Sequence, residues 1–401
     1  MISDFIPLCD ILALNSETQS ILDSEISLAA CSPPGIFLLP LTEVGDSFDV
    51  DRLTMIKNAT SASELSRRKF LTAATVAIAT NVSGEAQQPV PIIDCHIHLF
   101  DQTRPQGAPY AGGRGNTEPA LPSRYQKLAV PLGIVGAIEI DASPWVEDNL
   151  WVLEQEEKAT FMVGTAGNLQ PEKPEFKEYL DRYHKNKLFL GIRYGNVWGY
   201  NLVSQVENPV FIEGLKLMAQ AGLTLDTGNS RPDLIAAIVR VKDKVPGLRI
   251  VFDHTANLAP RPPAPNDRRQ ISPADRTAME ANLRELVNRP HVYFKLSEVM
   301  QMGADGAPVT DPAIYKARLD YLFDIFGEDR IVFGSDWPNG NAVEHLDVIV
   351  RIARDYFSTK TRPVQEKFFW KNSIPAFQWI KREPGQPQLS GLATLVLDVR
   401  S

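Results

Sequence analysis

Three scarcities narrow what this chain can be. Cysteine is the first: 401 residues hold three, Cys9, Cys31 and Cys95. Cys95 stands alone in the body, so no disulfide framework is expected and the fold must rest on its core. Basic excess is the second. Residues 1–54 carry nine Asp/Glu against one base, Arg52, which accounts for the whole formal charge of −8. Residues 55–401 then hold 40 acids and 40 bases, a body without the positive field that nucleic-acid binding uses. Long apolar runs are the third. The mild run from Phe70 to Ala79 falls far short of the about 20 residues of a membrane span, so no integral span is expected.

What is present is an ordinary globular composition, 44% hydrophobic and 22% charged. Ahead of the core comes "SRRKFLTAATVAIATNVSGEAQ", residues 66–87. Two arginines and a lysine, a short apolar run and then small residues are the parts of a signal peptide. Ser66-Arg67-Arg68-Lys69-Phe70-Leu71 resembles the twin-arginine export signal. Gly84-Glu85-Ala86 offers a cleavage site, with Ala77-Ile78-Ala79 as a rival. Residues 66–86 are therefore expected to be removed, leaving a periplasmic or otherwise extracytoplasmic enzyme that starts near Gln87. A signal belongs at a chain's start, and 65 residues precede this one. Either Met55 is the true start, or residues 1–65 are a real extension that blocks export and leaves the protein in the cytoplasm. The expected body runs from 87 to 381, with a tail over 382–401.

Eight apolar runs divide the body: 90–95, 133–141, 160–168, 188–195, 223–230, 248–255, 291–298 and 330–338. Each but the first leads directly into a helical pattern. Strands alternating with helices imply parallel pairing, and near-continuous Ile/Val/Leu/Phe suits strands buried on both faces. Eight such units predict an α/β fold, a TIM (β/α)8 barrel. The alternative, an open doubly wound sheet, favours a Gly-rich phosphate loop after the first strand, and "DCHIHLF" is not one.

Chemistry in a TIM barrel sits at the C-terminal ends of the strands. Polar residues gather there: His96 and His98 after run 1, Asp141 after run 2, Arg193 at run 4, Asp226 at run 5, His254 at run 6, Lys295 and Ser297 at run 7, and Asp336 at run 8. Residues two apart on a strand share a face, so His96 and His98 lie side by side. Two adjacent imidazoles point to a metal or a reacting oxygen, and a carboxylate nearby supplies a base.

"DCHIHLFD", "FDHTAN" and "FGSDWP", in that order, resemble the amidohydrolase superfamily. More narrowly they resemble the amidohydrolase-related (amidohydrolase 2) branch, with its 2-pyrone-4,6-dicarboxylate lactonases and L-fuconolactonase-like sugar lactonases. "IDASPWVEDN", "LGIRYG" and "FKLSEV" fit the same branch, and the likeness covers about residues 90–380. It implies a metal-dependent hydrolase-like barrel that opens a small lactone. His96, His98 and Asp336 would bind one divalent, zinc-like metal, Asp336 would activate water, and His254 would polarise the carbonyl. Asp226 stands where many members place a ligand histidine, and Arg193 where a bridging lysine is found, so a binuclear site is not expected. The lactonase relatives include enzymes that work without metal, so metal-free catalysis stays open. A metal-dependent decarboxylase or hydratase of the same branch is the alternative, and a non-catalytic binding barrel a weaker one.

The expected partner is a small-molecule substrate; oligomeric state is not legible. Arg193, Asp141, Asp226, Lys295 and Trp198 are the candidate substrate contacts. Arg193 has an equal claim to a buried salt bridge with Asp141 or Asp226, and Tyr194 and Trp198 to packing under their loop. Two long loops, 101–122 and 256–272, look like lids; the second carries Arg261, Arg268 and Arg269 against Asp267.

Overall fold

The computed structural model describes residues 88–110, 118–195, 197–228, 230–260, 271–303, 305–339 and 342–389. The N-terminal extension, the twin-arginine segment, most of the second lid and the end of the tail lie outside the described residues.

Eight strands form one parallel sheet in sequence order: β1 Ile92–Ile97, β2 Ile134–Ile140, β3 Met162–Gly167, β4 Phe189–Arg193, β5 Thr224–Thr227, β6 Arg249–Phe252, β7 Val292–Leu296 and β8 Ile331–Phe333. Two backbone bonds join its edges, from His98 N to Trp337 O and from Asp336 N to His96 O, both 2.8 Å. The barrel thus closes through the two segments that carry its histidine pair and its last aspartate. Gly334 lies at this seam. A Cβ there would meet His96 Cβ at 2.9 Å, which is why a glycine precedes Ser335-Asp336.

Helices start where the sequence supplies caps. Asn208, Ser272 and Asp311 each accept a backbone N–H of the following first turn, and a proline stands just inside each of these helices. The C-terminal segment closes the floor. Asn372 donates to Ile331 O at 2.9 Å, Thr224 donates to Ala376 O at 2.8 Å, and the Phe377 ring lies 5.3 Å from Lys295 Nζ. Among the described residues no helix is long and apolar enough to cross a membrane.

The apolar runs are found as strands, but several ladders stop early. Run 223–230 gives Thr224–Thr227, and run 330–338 gives Ile331–Phe333. The polar residues that follow leave the strand to turn into the mouth. His184 caps a helix end, and His345 sits at a non-helical point inside Ala342–Ser358. Cys95 is fully buried, as a packing residue should be.

Candidate active site

The two histidines of the first strand meet edge to face, ring centroids 4.9 Å apart. His98 Nδ1 lies 2.7 Å from Ile140 O. A carbonyl only accepts, so a proton is on Nδ1 and Nε2 is the nitrogen turned toward the cluster. That atom is 3.3 Å from His96 Nε2 and 3.2 Å from Asp336 Oδ1. Asp336 Oδ1 is also 3.4 Å from His96 Nε2 and 3.9 Å from His254 Nε2. One carboxylate oxygen therefore stands among three imidazoles. Burial would raise the Asp336 carboxyl, but His254 and the other histidines outweigh it and hold it far below the usual range. His254 is steadied by Ser297, whose Oγ accepts the His254 backbone N–H at 3.1 Å and lies 2.9 Å from Nδ1.

Beneath this cluster lies a layer of buried charge. Lys295 Nζ is 2.5 Å from Asp226 Oδ2, 2.9 Å from Asp253 Oδ1 and 3.3 Å from His96 Nδ1. Arg193 Nε donates to Asp253 Oδ2 at 3.0 Å and stands 3.8 Å from Asp141. Burial and the charge of Asp253 push Asp226 up. Burial also acts to raise Asp253, yet Lys295, His96 and Arg193 drive it well down. Burial carries His96 well below its ordinary value. This corrects two expected substrate contacts. Asp226 and Lys295 are fully buried under the histidines and do not line the mouth; they bond each other, and Lys295 bonds Asp253 as well. Arg193 pairs with Asp141, as its salt-bridge reading expected, and more closely with Asp253, a residue sequence reasoning missed.

Above the cluster opens a cavity of about 430 Å³ lined by His98, His254, Asp336, Asp141, Arg193, Trp198, Tyr110, Glu298 and Asn339, with Ala142 and Val197. Trp198 donates its indole N–H to Asp141 Oδ2 at 2.5 Å. Burial pushes Asp141 up to about 6, against the pull of Arg193 and then of Trp198. Tyr110 stands edge-on to Trp198 at 6.1 Å and to His98 at 6.3 Å. Tyr194, by contrast, is buried and stacked on Tyr200 at 5.1 Å, so it packs under the loop. Six non-glycine residues have positive φ among the described residues, and four of them, Trp198, His254, Glu298 and Asp336, line this cavity. Such backbone strain gathers where a side chain must be aimed. Tyr110, Glu298 and Asn339 are loop residues with no periodic signal to single them out.

A family model described as "Amidohydrolase" matches residues 93–378. The chain belongs to the amidohydrolase family. It is 23% identical over 231 residues to an L-fucono-1,5-lactonase of Burkholderia ambifaria, covering 56% of this chain and 72% of that protein. Its fold is similar to an amidohydrolase of Burkholderia multivorans with bound zinc: TM-score 0.59, 18% identity, 72% of this chain and 100% of that one. It is similar too to a probable 2-pyrone-4,6-dicarboxylic acid hydrolase of Acinetobacter baumannii with citric acid bound: TM-score 0.54, 15% identity, 72% and 99% covered.

The donor set of this amidohydrolase suits one divalent metal. Zinc bonds of about 2.0–2.1 Å in a tetrahedron set ligand atoms about 3.3–3.4 Å apart. The three separations among His96 Nε2, His98 Nε2 and Asp336 Oδ1 are 3.3, 3.2 and 3.4 Å. A ligand atom of His254 also lies within 4.8 Å of those of His96 and Asp336, so it adds a neighbour to the expected set. Asp226 turns its Oδ2 to Lys295, below the three imidazoles.

Proposed function

We propose that this chain opens a lactone ring, and that its substrate is a neutral, hydroxylated lactone of the sugar-acid type. The cavity carries the choice. Its described lining bears three carboxylates, Asp141, Glu298 and Asp336, against one guanidinium, Arg193, already bonded to Asp253. A dicarboxylate substrate asks for uncommitted cations; ring hydroxyls ask for carboxylate acceptors and an apolar wall. Trp198 and Tyr110 offer that wall. The likeness to an L-fucono-1,5-lactonase supports the same reading.

The contacts on Asp336 named above fall on Oδ1. Oδ2 is the oxygen we assign to take a proton from water. The water oxygen then bonds the lactone carbonyl carbon. The tautomer of His254 with its proton on Nε2 donates to the carbonyl oxygen as it becomes an oxyanion, often the largest catalytic contribution. As the ring C–O bond breaks, Asp336 returns its proton to the leaving alkoxide, and the product is a hydroxy acid. His96, His98 and Asp336 would hold a divalent metal, which when bound supplies Lewis-acid charge beside the carbonyl and the water. Acid release from sugar lactones, from a pyrone dicarboxylate and from no substrate, each with and without chelator, tests the reading. Turnover of sugar lactones alone is expected. Turnover of the dicarboxylate alone, or release of carbon dioxide from an aryl acid in place of ring opening, would overturn it.

A further inference from the structure

Asn339 carries no role in the ring opening itself, yet its side chain bonds both Tyr110 and the base Asp336. Its Oδ1 accepts the hydroxyl hydrogen of Tyr110. Its Nδ2 donates to Asp336 Oδ1 at 3.4 Å, and its backbone N–H donates to Asp336 O at 2.7 Å. An amide offers one acceptor and one donor end. Turned over, it would set its oxygen against the carboxylate oxygen of Asp336, acceptor facing acceptor. The carboxylate can only accept and so takes the Nδ2 end, and the Tyr110 hydroxyl holds the amide there by donating to the Oδ1 that is left.

Tyr110 is in turn held by a fixed arm. Arg104 places Nη1 2.9 Å from Asp148 Oδ1, its guanidinium carbon lies 4.4 Å from the Trp151 ring centroid, and its Nη2 donates to Gly107 O at 3.0 Å. The arm is pinned to the helix Asp148–Lys158 outside the barrel and ends with the tyrosine over the mouth. Its ring packs on Phe100 at 5.7 Å as well as on His98 and Trp198.

We propose that Asn339 is a positioning residue for Asp336, anchored by the Tyr110 hydroxyl, so that the loop after β1 steadies the base carried by the loop after β8. The inference rests on Asp336 being the base. Neither residue exchanges a proton with the substrate; the chain Tyr110–Asn339–Asp336 fixes a rotamer. Misplacing a catalytic group affects kcat, whereas losing a roof contact affects KM.

The test is a double-mutant cycle of Tyr110→Phe and Asn339→Leu, read as kcat and KM on whichever lactone is turned over, beside Asp336→Asn and Arg104→Met. Tyr110→Phe keeps the ring and removes one oxygen, so it stands as the measurement even if Asn339→Leu folds poorly. Each single variant is expected to lose about tenfold in kcat with KM within about twofold, and the double to lose no more than the worse single. Arg104→Met, remote from the chemistry, should give the same kcat loss, and Arg104→Lys should restore part of it. Multiplying losses in the double variant, or a rise in KM alone, would overturn the proposal while leaving Asp336 as base. Full turnover by Asp336→Asn would overturn the base, and the proposal with it.

Discussion

Trp198→Phe removes one N–H from the mouth and keeps a ring in place, which makes its outcome readable. Asp141 is the group it perturbs. Burial holds that carboxyl at about 6, with Arg193 and the indole N–H pulling it down. A hydrogen bond to a charged group contributes about 1.5–3 kcal/mol, and one pKa unit corresponds to about 1.4 kcal/mol. Loss of the donor should lift Asp141 by about one to two units, to roughly 7–8. If the ionised carboxylate accepts a substrate hydroxyl, kcat/KM should rise through an acid limb at about 6 in the wild type. In Trp198→Phe the limb should move up by that shift, with near-normal kcat/KM at alkaline pH. Asp141→Asn should abolish the limb and leave a weak, flat profile. An unmoved limb in Trp198→Phe, or a limb that survives in Asp141→Asn, would refute the reasoning.

The same group sets a stability window. Unfolded, an aspartate ionises near 3.9, and folded Asp141 does so at about 6. Between those values the unfolded chain has released a proton that the folded chain retains. The stability Asp141 contributes is full below about 4 and lost as pH rises through about 6. The difference is about 3 kcal/mol for a fully buried group, to be seen as a fall in the urea midpoint over that range, absent in Asp141→Asn.

Asp336→Asn keeps the shape and removes the base, and kcat should drop about 10²–10⁴-fold with circular dichroism unchanged. His254→Ala should cost about 10²–10³-fold, and the two together less than the product, because both act in one step. Elemental analysis should find at most one tightly held metal per chain; two equivalents that survive dialysis and are needed for turnover would contradict the reading of Asp226 and Arg193 as held in ion pairs with Lys295 and Asp253. For the export segment, which lies outside the described residues, we propose that the mature chain begins near Gln87. N-terminal sequencing checks this, and full-length chain confined to the cytoplasm would sink it.

Much of this was legible because the barrel repeats one rule eight times. Every apolar run is a strand, and the order H-x-H, D-H, S-D-W marks His98, His254 and Asp336 of the mouth and the buried His96 that meets them. Depth was the feature misread, and the ladder explains why. Asp226 lies inside β5 and Lys295 inside β7, so both stay below the rim. Asp141, His254, Glu298 and Asp336 all come after the last residue of their strands, and all line the cavity. The histidine pair obeys the same division: His96 is within β1 and does not line the cavity, while His98 is past its end and does. Two residues cross the division: Asp253, one residue past β6, is drawn down by Lys295 and Arg193, and Arg193, the last residue of β4, still reaches the cavity. A polar residue in an apolar run thus has two meanings. Before the ladder ends it must bring a buried partner, a counter-charge for Lys295 or a hydroxyl for Asp94 and Glu139, since an unpaired polar group there is costly. After the ladder ends it is free to meet a substrate. Apolar composition does not mark where a ladder ends, and in this chain that point separates the ion layer from the mouth.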